Sequence, residues 1–350
     1  MKILLLSPTE RPINGGIAVW TKNYLNGPVK LKNDVTVVST TYIEGEKEEL
    51  YVTNKIKLYK KLFIILNKIL KSQNFDVAHI NSCCAFPGVI RDILFVKLIK
   101  CYGIPVILHC HCDVAYFTST KISTIACKYL FGLSEQIICM NSSSINRVRT
   151  IANKSSVYLP NPIDSDVMSI IPEIKKHIKK IIYIGFINRE KGSYEILKIA
   201  EKFPNYHFMM VGMQEEQVSE QAENQKLHNI TFTGRLPHNE VINMLKDSDV
   251  LLFPSHAEGF PMTVLEAMTI GVPIVATKVG AIEDMVCQKN KEFLCDVADV
   301  NGMVEAIKKL QDYDLRKQIV IENQQKVLNE YTQFRVAESL EKIYREVLER

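Results

Sequence analysis

No stretch of this 350-residue chain approaches the roughly 18 uninterrupted apolar residues that a membrane-spanning helix needs. The apolar run at residues 4–6 is also too short for the hydrophobic region of a secretory signal. Together these shortages lead to the expectation of a soluble, cytoplasmic protein. Cysteine occurs nine times, but with no repeated spacing and no export signal, so the thiols are read as reduced and most of them as small core residues. The dinucleotide fingerprint Gly-x-Gly-x-x-Gly is absent from the loop after the first apolar run, which argues against a nicotinamide enzyme. A P-loop is absent too: the turn at residues 191–193 reads Lys-Gly-Ser rather than Gly-Lys-Ser/Thr, which argues against a nucleotide triphosphatase. Short repeats and low-complexity tracts do not occur.

What is present can bury a large core, since 47% of the residues are hydrophobic, and a chain of this length ordinarily divides in two. Charge divides as well. Residues 1–165 carry 20 Lys and Arg against 11 Asp and Glu, a balance of +9, whereas the remainder carries 23 against 28, a balance of −5. The first half is therefore expected to meet something anionic. Short Val- and Ile-rich runs recur at KILLLS, VTVVS, FDVAHINS, PVILHCH, QIICMN and SVYLPN, with helix-length segments between most of them. The rhythm restarts after a Lys-rich stretch with KKIIYIGF, YHFMMVG, ITFTG, DVLLFPS, PIVAT and EFLCD. Apolar runs of this kind are buried parallel strands, so two series of six predict two doubly wound α/β domains, residues 1–165 and 166–350. Ligands of such sheets bind beyond the carboxyl ends of the strands, which predicts a site in a cleft between the two domains.

Two glutamates eight positions apart, Glu258 and Glu266, flank a Gly-Phe-Pro corner in PSHAEGFPMTVLEAM. DVLLFPS is read as a strand, HAEGF as its exit loop and PMTVLEAMTIG as a helix ended by Gly271, with Pro261 at the first helical position. Glu258 then sits on the loop, just before amides of Gly259, Phe260, Met262 and Thr263 that can hold a phosphate at the helix N-terminus. Glu266 lies inside the helix, where a carboxylate can accept protons from a vicinal diol such as a ribose. Either glutamate alone is equally well a loop acid or a dipole-favoured helix acid. In GFINREKGS, Lys191 on a strand-to-helix turn can clamp a diphosphate as a point charge, or be an ordinary solvated lysine. Gly15 and Gly16 in NGGIAVW permit close backbone approach to a ligand, or form a plain flexible turn. In HCHCD, strand alternation puts His109 and His111 on one face and Cys110 and Cys112 on the other, which makes joint metal ligation by this run sterically implausible. His109 is read as a satisfied, partly buried histidine.

In this order, NGGIAVW, PVILHCHCD, LPNPID, IIYIGFINREKGS, ITFTGRLPHNEV and PSHAEGFPMTVLEAMTIGVPIVATKVGAIEDMV resemble the retaining nucleotide-sugar glycosyltransferases of family 4, which have the GT-B fold. The resemblance spans most of the chain and is strongest over residues 181–286. It implies two Rossmann-like domains facing a central cleft, a hinge at Asn161 and Pro162, and a terminal segment, residues 331–350, that packs back on the first domain. It also implies a role for each motif residue. Glu258 would lie near the donor sugar and Glu266 on the nucleotide ribose; Lys191 would grip the donor diphosphate; Gly15 and Gly16 would face that diphosphate; and His111 would lie close to donor sugar and acceptor. The family arginine that follows the strand-ending glycine, here Gly185, is replaced by Phe186, so Arg189 three positions on is the candidate to supply the missing charge.

The implied reaction moves a hexosyl or N-acetylhexosaminyl group from a nucleoside-diphosphate sugar to a hydroxyl of a glycan or lipid-linked acceptor, with the anomeric configuration kept. No metal or organic cofactor is expected, because the nucleotide sugar is a substrate, and no nucleic-acid partner is expected. A GT-B nucleotide-sugar epimerase and an inactive nucleotide-sugar-binding protein are the alternatives. The acceptor side is suggested by KIKLYKKLFIILNKILKSQ at residues 55–73, which has six lysines and no acid. Its stripe of Leu58, Leu62, Ile65, Leu66 and Ile69 can face the sheet or a lipid surface. Lys55, Lys57, Lys60, Lys61, Lys68 and Lys71 are accordingly expected to face an anionic membrane or acceptor, which points to surface polysaccharide synthesis, capsule or lipopolysaccharide, peripheral to the membrane.

Overall fold

In the computed structural model, which describes residues 1–9, 16–41, 43, 55–171 and 173–350, the chain forms two compact units. Residues 1–162 and 333–350 make the first and residues 163–332 the second. Each holds a parallel sheet of six strands.

In the first unit these are β1 (Lys2–Ser7), β2 (Asp34–Ser39), β3 (Val77–Ser82), β4 (Val106–Cys110), β5 (Gln136–Cys139) and β6 (Val157–Tyr158), in the order β2-β1-β3-β4-β5-β6. KILLLS is apolar throughout because both of its faces are covered. Leu4 and Leu6 join the cluster formed with Leu58, Leu62 and Leu66, while Ile3 and Leu5 join the one formed with Trp20, Leu340 and Tyr344. The same period of two sends Val106, Leu108 and Cys110 to the former face and Ile107 to the latter. Seven cysteines are buried, Cys83 is partly so and Cys101 is exposed.

The terminal helix Gln333–Leu348 belongs to the first unit. Val336, Leu340, Ile343, Tyr344 and Val347 recur at helical spacing and pack against Ile3, Leu5 and Trp20. Full burial of each large aliphatic side chain is worth about 1.5 to 3 kcal/mol. A polar anchor fixes the register: the Tyr344 hydroxyl lies 2.7 Å from His79 Nδ1 and 3.0 Å from the Tyr24 hydroxyl. Burial lowers the pKa of His79 to about 3, so the imidazole is neutral at physiological pH.

The second unit's strands are β7 (Lys180–Ile184), β8 (His207–Val211), β9 (Ile230–Gly234), β10 (Val250–Phe253), β11 (Ile274–Thr277) and β12 (Leu294–Cys295), in the order β12-β11-β10-β7-β8-β9. Strand order reverses between β10 and β7, the place where open α/β sheets form a crevice for ligands.

Candidate active site

Because β7 and β10 are hydrogen-bonded neighbours, the loops leaving their carboxyl ends lie side by side. One carries Lys191 and the other Glu258. Lys191 Nζ donates to Glu258 Oε1 at 2.7 Å and to the Ala257 carbonyl at 3.1 Å, joining side chains 67 positions apart. Ser255 Oγ donates to the same carboxylate oxygen at 2.7 Å. With Oε1 doubly engaged, Oε2 is the atom left to accept from a ligand hydroxyl. Only 14% of the Glu258 side chain is exposed, so water screens this pair less than it screens an ion pair on the open surface.

The order Lys-Gly has a steric reason. Gly192 adopts φ +73°, and a Cβ there would stand 2.0 Å from the carbonyl oxygen of Pro254 on the neighbouring loop. Gly280, at φ +56°, likewise leaves room for the Glu258 carbonyl, which a Cβ would meet at 2.1 Å. The loops after β7 and β11 approach the β10 loop this closely only because neither glycine has a side chain. Lys191 N donates to Asn188 Oδ1 at 3.0 Å and His256 N donates to the Glu190 carbonyl at 2.9 Å, which holds the Lys191 turn against the β10 loop.

The helix after Glu258 spans Met262–Ile270 and ends at Gly271 in the left-handed conformation. It begins one residue later than expected, with Pro261 as its N-cap in an extended conformation. Since proline offers no capping side chain, its N-cap makes no side-chain hydrogen bond to the first turn, where the Met262 and Thr263 amides lie. The Gly259 carbonyl accepts from Ala281 N at 3.0 Å. Phe260 is buried with its ring 6.0 Å from that of Tyr331, so its side chain serves the core. Glu266 is 9% exposed, and its Oε1 lies 2.9 Å from His238 Nε2. Neither His238 nor Ser255 stood out in the sequence. The only signals were a histidine after a Gly-Arg-Leu-Pro turn and a serine just past the apolar strand.

Gly185 follows β7, and Phe186 next to it is 41% exposed. The carbonyl of Phe186 accepts from the Tyr183 hydroxyl at 2.9 Å. Burial, then the charge of Glu258, pushes that phenol well above its usual range, which keeps it a donor. The Arg189 guanidinium carbon lies 5.0 Å from the Tyr194 ring centroid, over its face.

In the first unit, Gly15 lies outside the described residues, and Gly16 opens the helix Gly16–Asn26 with no atom of the described residues within 4 Å of where a Cβ would stand. His111 follows β4 and is partly exposed. A directional chain of hydrogen bonds determines its tautomer. Thr21 Oγ1 donates to the Ile17 carbonyl at 2.8 Å, so it must accept from Ser7 Oγ at 2.5 Å. Ser7 therefore accepts from Asn81 Nδ2 at 2.8 Å, which turns Asn81 Oδ1 towards His111 Nε2 at 3.0 Å. A carbonyl oxygen only accepts, so Nε2 carries the proton and Nδ1 the lone pair. Loss of water, then the neighbouring His79, lowers the His111 pKa to about 3. Nitrogen-15 shifts of His111 are expected to show a protonated Nε2 and an unprotonated Nδ1 in the parent, and a tautomer mixture in Asn81→Ala. A mixture already present in the parent would refute the chain.

His109 and His111 lie on one face beside Trp20, with ring centroids 5.3 and 5.1 Å from it, while Cys110 and Cys112 pack with Cys84 and Cys127 on the other. The expectation of a satisfied, partly buried His109 fails. It is wholly buried, and neither ring nitrogen has a hydrogen-bond partner among the described residues, because Trp20 and its histidine neighbours surround it with rings. Burial first, then the two neighbouring histidines, pushes its pKa well below the usual value.

Residues 165–327 match the family described as glycosyl transferases group 1. The family match and the fold together support a GT-B glycosyltransferase. Proteins similar to this chain include an uncharacterized glycosyltransferase of Methanocaldococcus jannaschii, 24% identical over 364 residues and 99% of each chain. A second is an uncharacterized 41.2 kDa protein in the cps region of Klebsiella pneumoniae, 25% identical over 289 residues, 75% of this chain and 79% of the relative. Among solved structures, Anabaena HepE in complex with UDP superposes with a TM-score of 0.77 at 14% identity, covering 99% of this chain and 100% of HepE, and the same protein has been solved with UDP-glucose.

Proposed function

We propose that this enzyme transfers a sugar, with retention, from a nucleoside diphosphate to a hydroxyl of a cell-surface glycan or its lipid-linked precursor. The reading is carried by the pairing of Lys191 with Glu258 beside an uncapped helix N-terminus, with Glu266 one helical turn further on. A diphosphate placed there meets the Lys191 ammonium and the Met262 and Thr263 amides, all of which gain strength as charge develops on the leaving oxygen. Glu258 Oε2 accepts from the donor sugar and Glu266 from the ribose. The bond from the anomeric carbon to the phosphate oxygen breaks, and the acceptor oxygen bonds that carbon on the same face. The acceptor proton passes to the departing diphosphate. In this scheme protein groups hold the developing charge, so no metal or cofactor is required. HepE with UDP-glucose supports a uridine donor, and the relative from a cps region supports a polysaccharide product.

Calorimetry with UDP and UDP-glucose tests the donor site. Glu266→Ala is expected to weaken UDP binding by about 1.5 to 3 kcal/mol, the range for hydrogen bonds to a charged group. Equal affinity in mutant and parent would remove Glu266 from the site. The anomeric proton coupling of the product tests retention, and formation of an epimer from donor alone would replace transfer by epimerisation.

A further inference from the structure

The loop after β7 and the helix it enters, Ser193–Lys202, border a cavity of about 490 Å³ in the second unit, within the size range of small-molecule sites. That segment contributes Arg189, Glu190, Tyr194, Glu195 and Lys198; Gln221 comes from the helix Glu216–Asn224 and His256 from the β10 loop. Neither Lys191, Glu258 nor Glu266 lines it. Its charges cancel, because two cations, Arg189 and Lys198, stand with two carboxylates, Glu190 and Glu195. Glu195 is 9% exposed, and its Oε2 is buried with no hydrogen-bond partner among the described residues. Its Oε1 lies 3.3 Å from His256 Nε2, which likewise makes no hydrogen bond among them. A buried carboxylate oxygen without a donor is costly, so Glu195 presents an acceptor that a ligand hydroxyl can satisfy. The Arg189 guanidinium carbon lies 5.0 Å from the Tyr194 ring centroid, which sets a fork of N–H donors beside an apolar wall.

From this arrangement we infer that the cavity is a second carbohydrate site, binding a neutral pyranose ring either as a free sugar or as one unit of a glycan. Balanced charge selects this class. A phosphate or carboxylate would meet Glu190 and Glu195, and an ammonium group would meet Arg189 and Lys198. A sugar hydroxyl both donates and accepts. One ring can therefore donate to the two glutamates and accept from Arg189, Lys198 and the Gln221 amide, with its C–H groups against Tyr194. His256 precedes Glu258 by two positions on the β10 loop, and its N–H is held by the Glu190 carbonyl at 2.9 Å, so a sugar bound here touches the loop that carries Glu258. The inference goes beyond the donor reading, since the residues of that reading do not line the cavity.

The test follows the amides of Tyr194 and Gln221 by nitrogen-15 NMR while methyl α-glucoside, methyl β-galactoside, N-acetylglucosamine or maltotriose is titrated into the full chain at saturating UDP. UDP keeps the proposed donor site occupied, and a repeat without it makes the result readable even if the donor reading fails. Saturable shifts of both amides are expected. Equal affinity for the single sugars and maltotriose identifies a free sugar as the ligand, and tighter binding of maltotriose identifies a unit of a glycan. Tyr194→Ala and Lys198→Gln are each expected to weaken sugar binding about tenfold and to leave UDP affinity unchanged. Lys198 is exposed, so its variant tests the site even if Tyr194→Ala does not fold. The inference is overturned if none of the four sugars gives a saturable shift, if the Lys198 variant binds them as the parent does, or if inorganic phosphate or uridine shifts the same amides. Lost UDP affinity in the Lys198 variant would also overturn it, by making the cavity part of the donor site.

Discussion

Glu258→Gln is expected to leave the melting temperature and UDP affinity near those of the parent and to lower sugar transfer by roughly a hundredfold, the scale of losing one preorganised polar group. The side chain is nearly isosteric and keeps an oxygen for Ser255 Oγ, which now bonds Glu258 Oε1 at 2.7 Å. What disappears is the negative charge beside the Lys191 ammonium and the acceptor-only character of the second oxygen. An amide that turns its NH2 towards the sugar donates where the carboxylate accepted. The measurement is turnover at saturating UDP-sugar together with calorimetry of UDP. Unchanged turnover would remove Glu258 from the donor-sugar site, and lost UDP affinity would mean that it serves the nucleotide instead.

Lys191→Ala should cost more, about a hundredfold to a thousandfold in turnover. Truncation removes the point charge proposed to face the diphosphate. It also strips Glu258 Oε1 of one of its two donors and leaves the Ala257 carbonyl without its lysine partner. Affinity for UDP is expected to fall while affinity for uridine hardly changes, because the nucleoside lacks the phosphates. Equal losses for both would show a collapsed loop rather than a lost clamp. Since Lys191 and Glu258 touch, the double variant should be far less impaired than the sum of the two single losses, whereas full additivity would mean that the pair does not act as a unit.

Residue order was enough to place the strands and the terminal helix. A strand covered on both faces must be apolar at nearly every position, so runs such as KILLLS and DVLLFPS mark parallel strands with no knowledge of the fold. The terminal helix announces its buried face through Val336, Leu340, Tyr344 and Val347 at helical spacing. Glu258, Glu266 and Lys191 were legible as candidates because each sits at a fixed offset from the end of such a strand. Tertiary structure alone decided their partners. The reversal of strand order brings β7 beside β10, so Lys191 reaches Glu258 across 67 positions, and His238 reaches Glu266 across 28. Arg189 could be named from its place in the loop, yet its position over the Tyr194 ring depends on how that loop turns into the following helix. The neutral tautomer of His111 needed the whole chain from Ile17 and Thr21 through Ser7 and Asn81 to His111 itself, four segments that meet only when β1, β3 and β4 align. For the basic helix, a helical period specifies which residues share a face but not what that face meets. Packing on the sheet took the leucines and left Ile56, Lys60 and Ile64 outward.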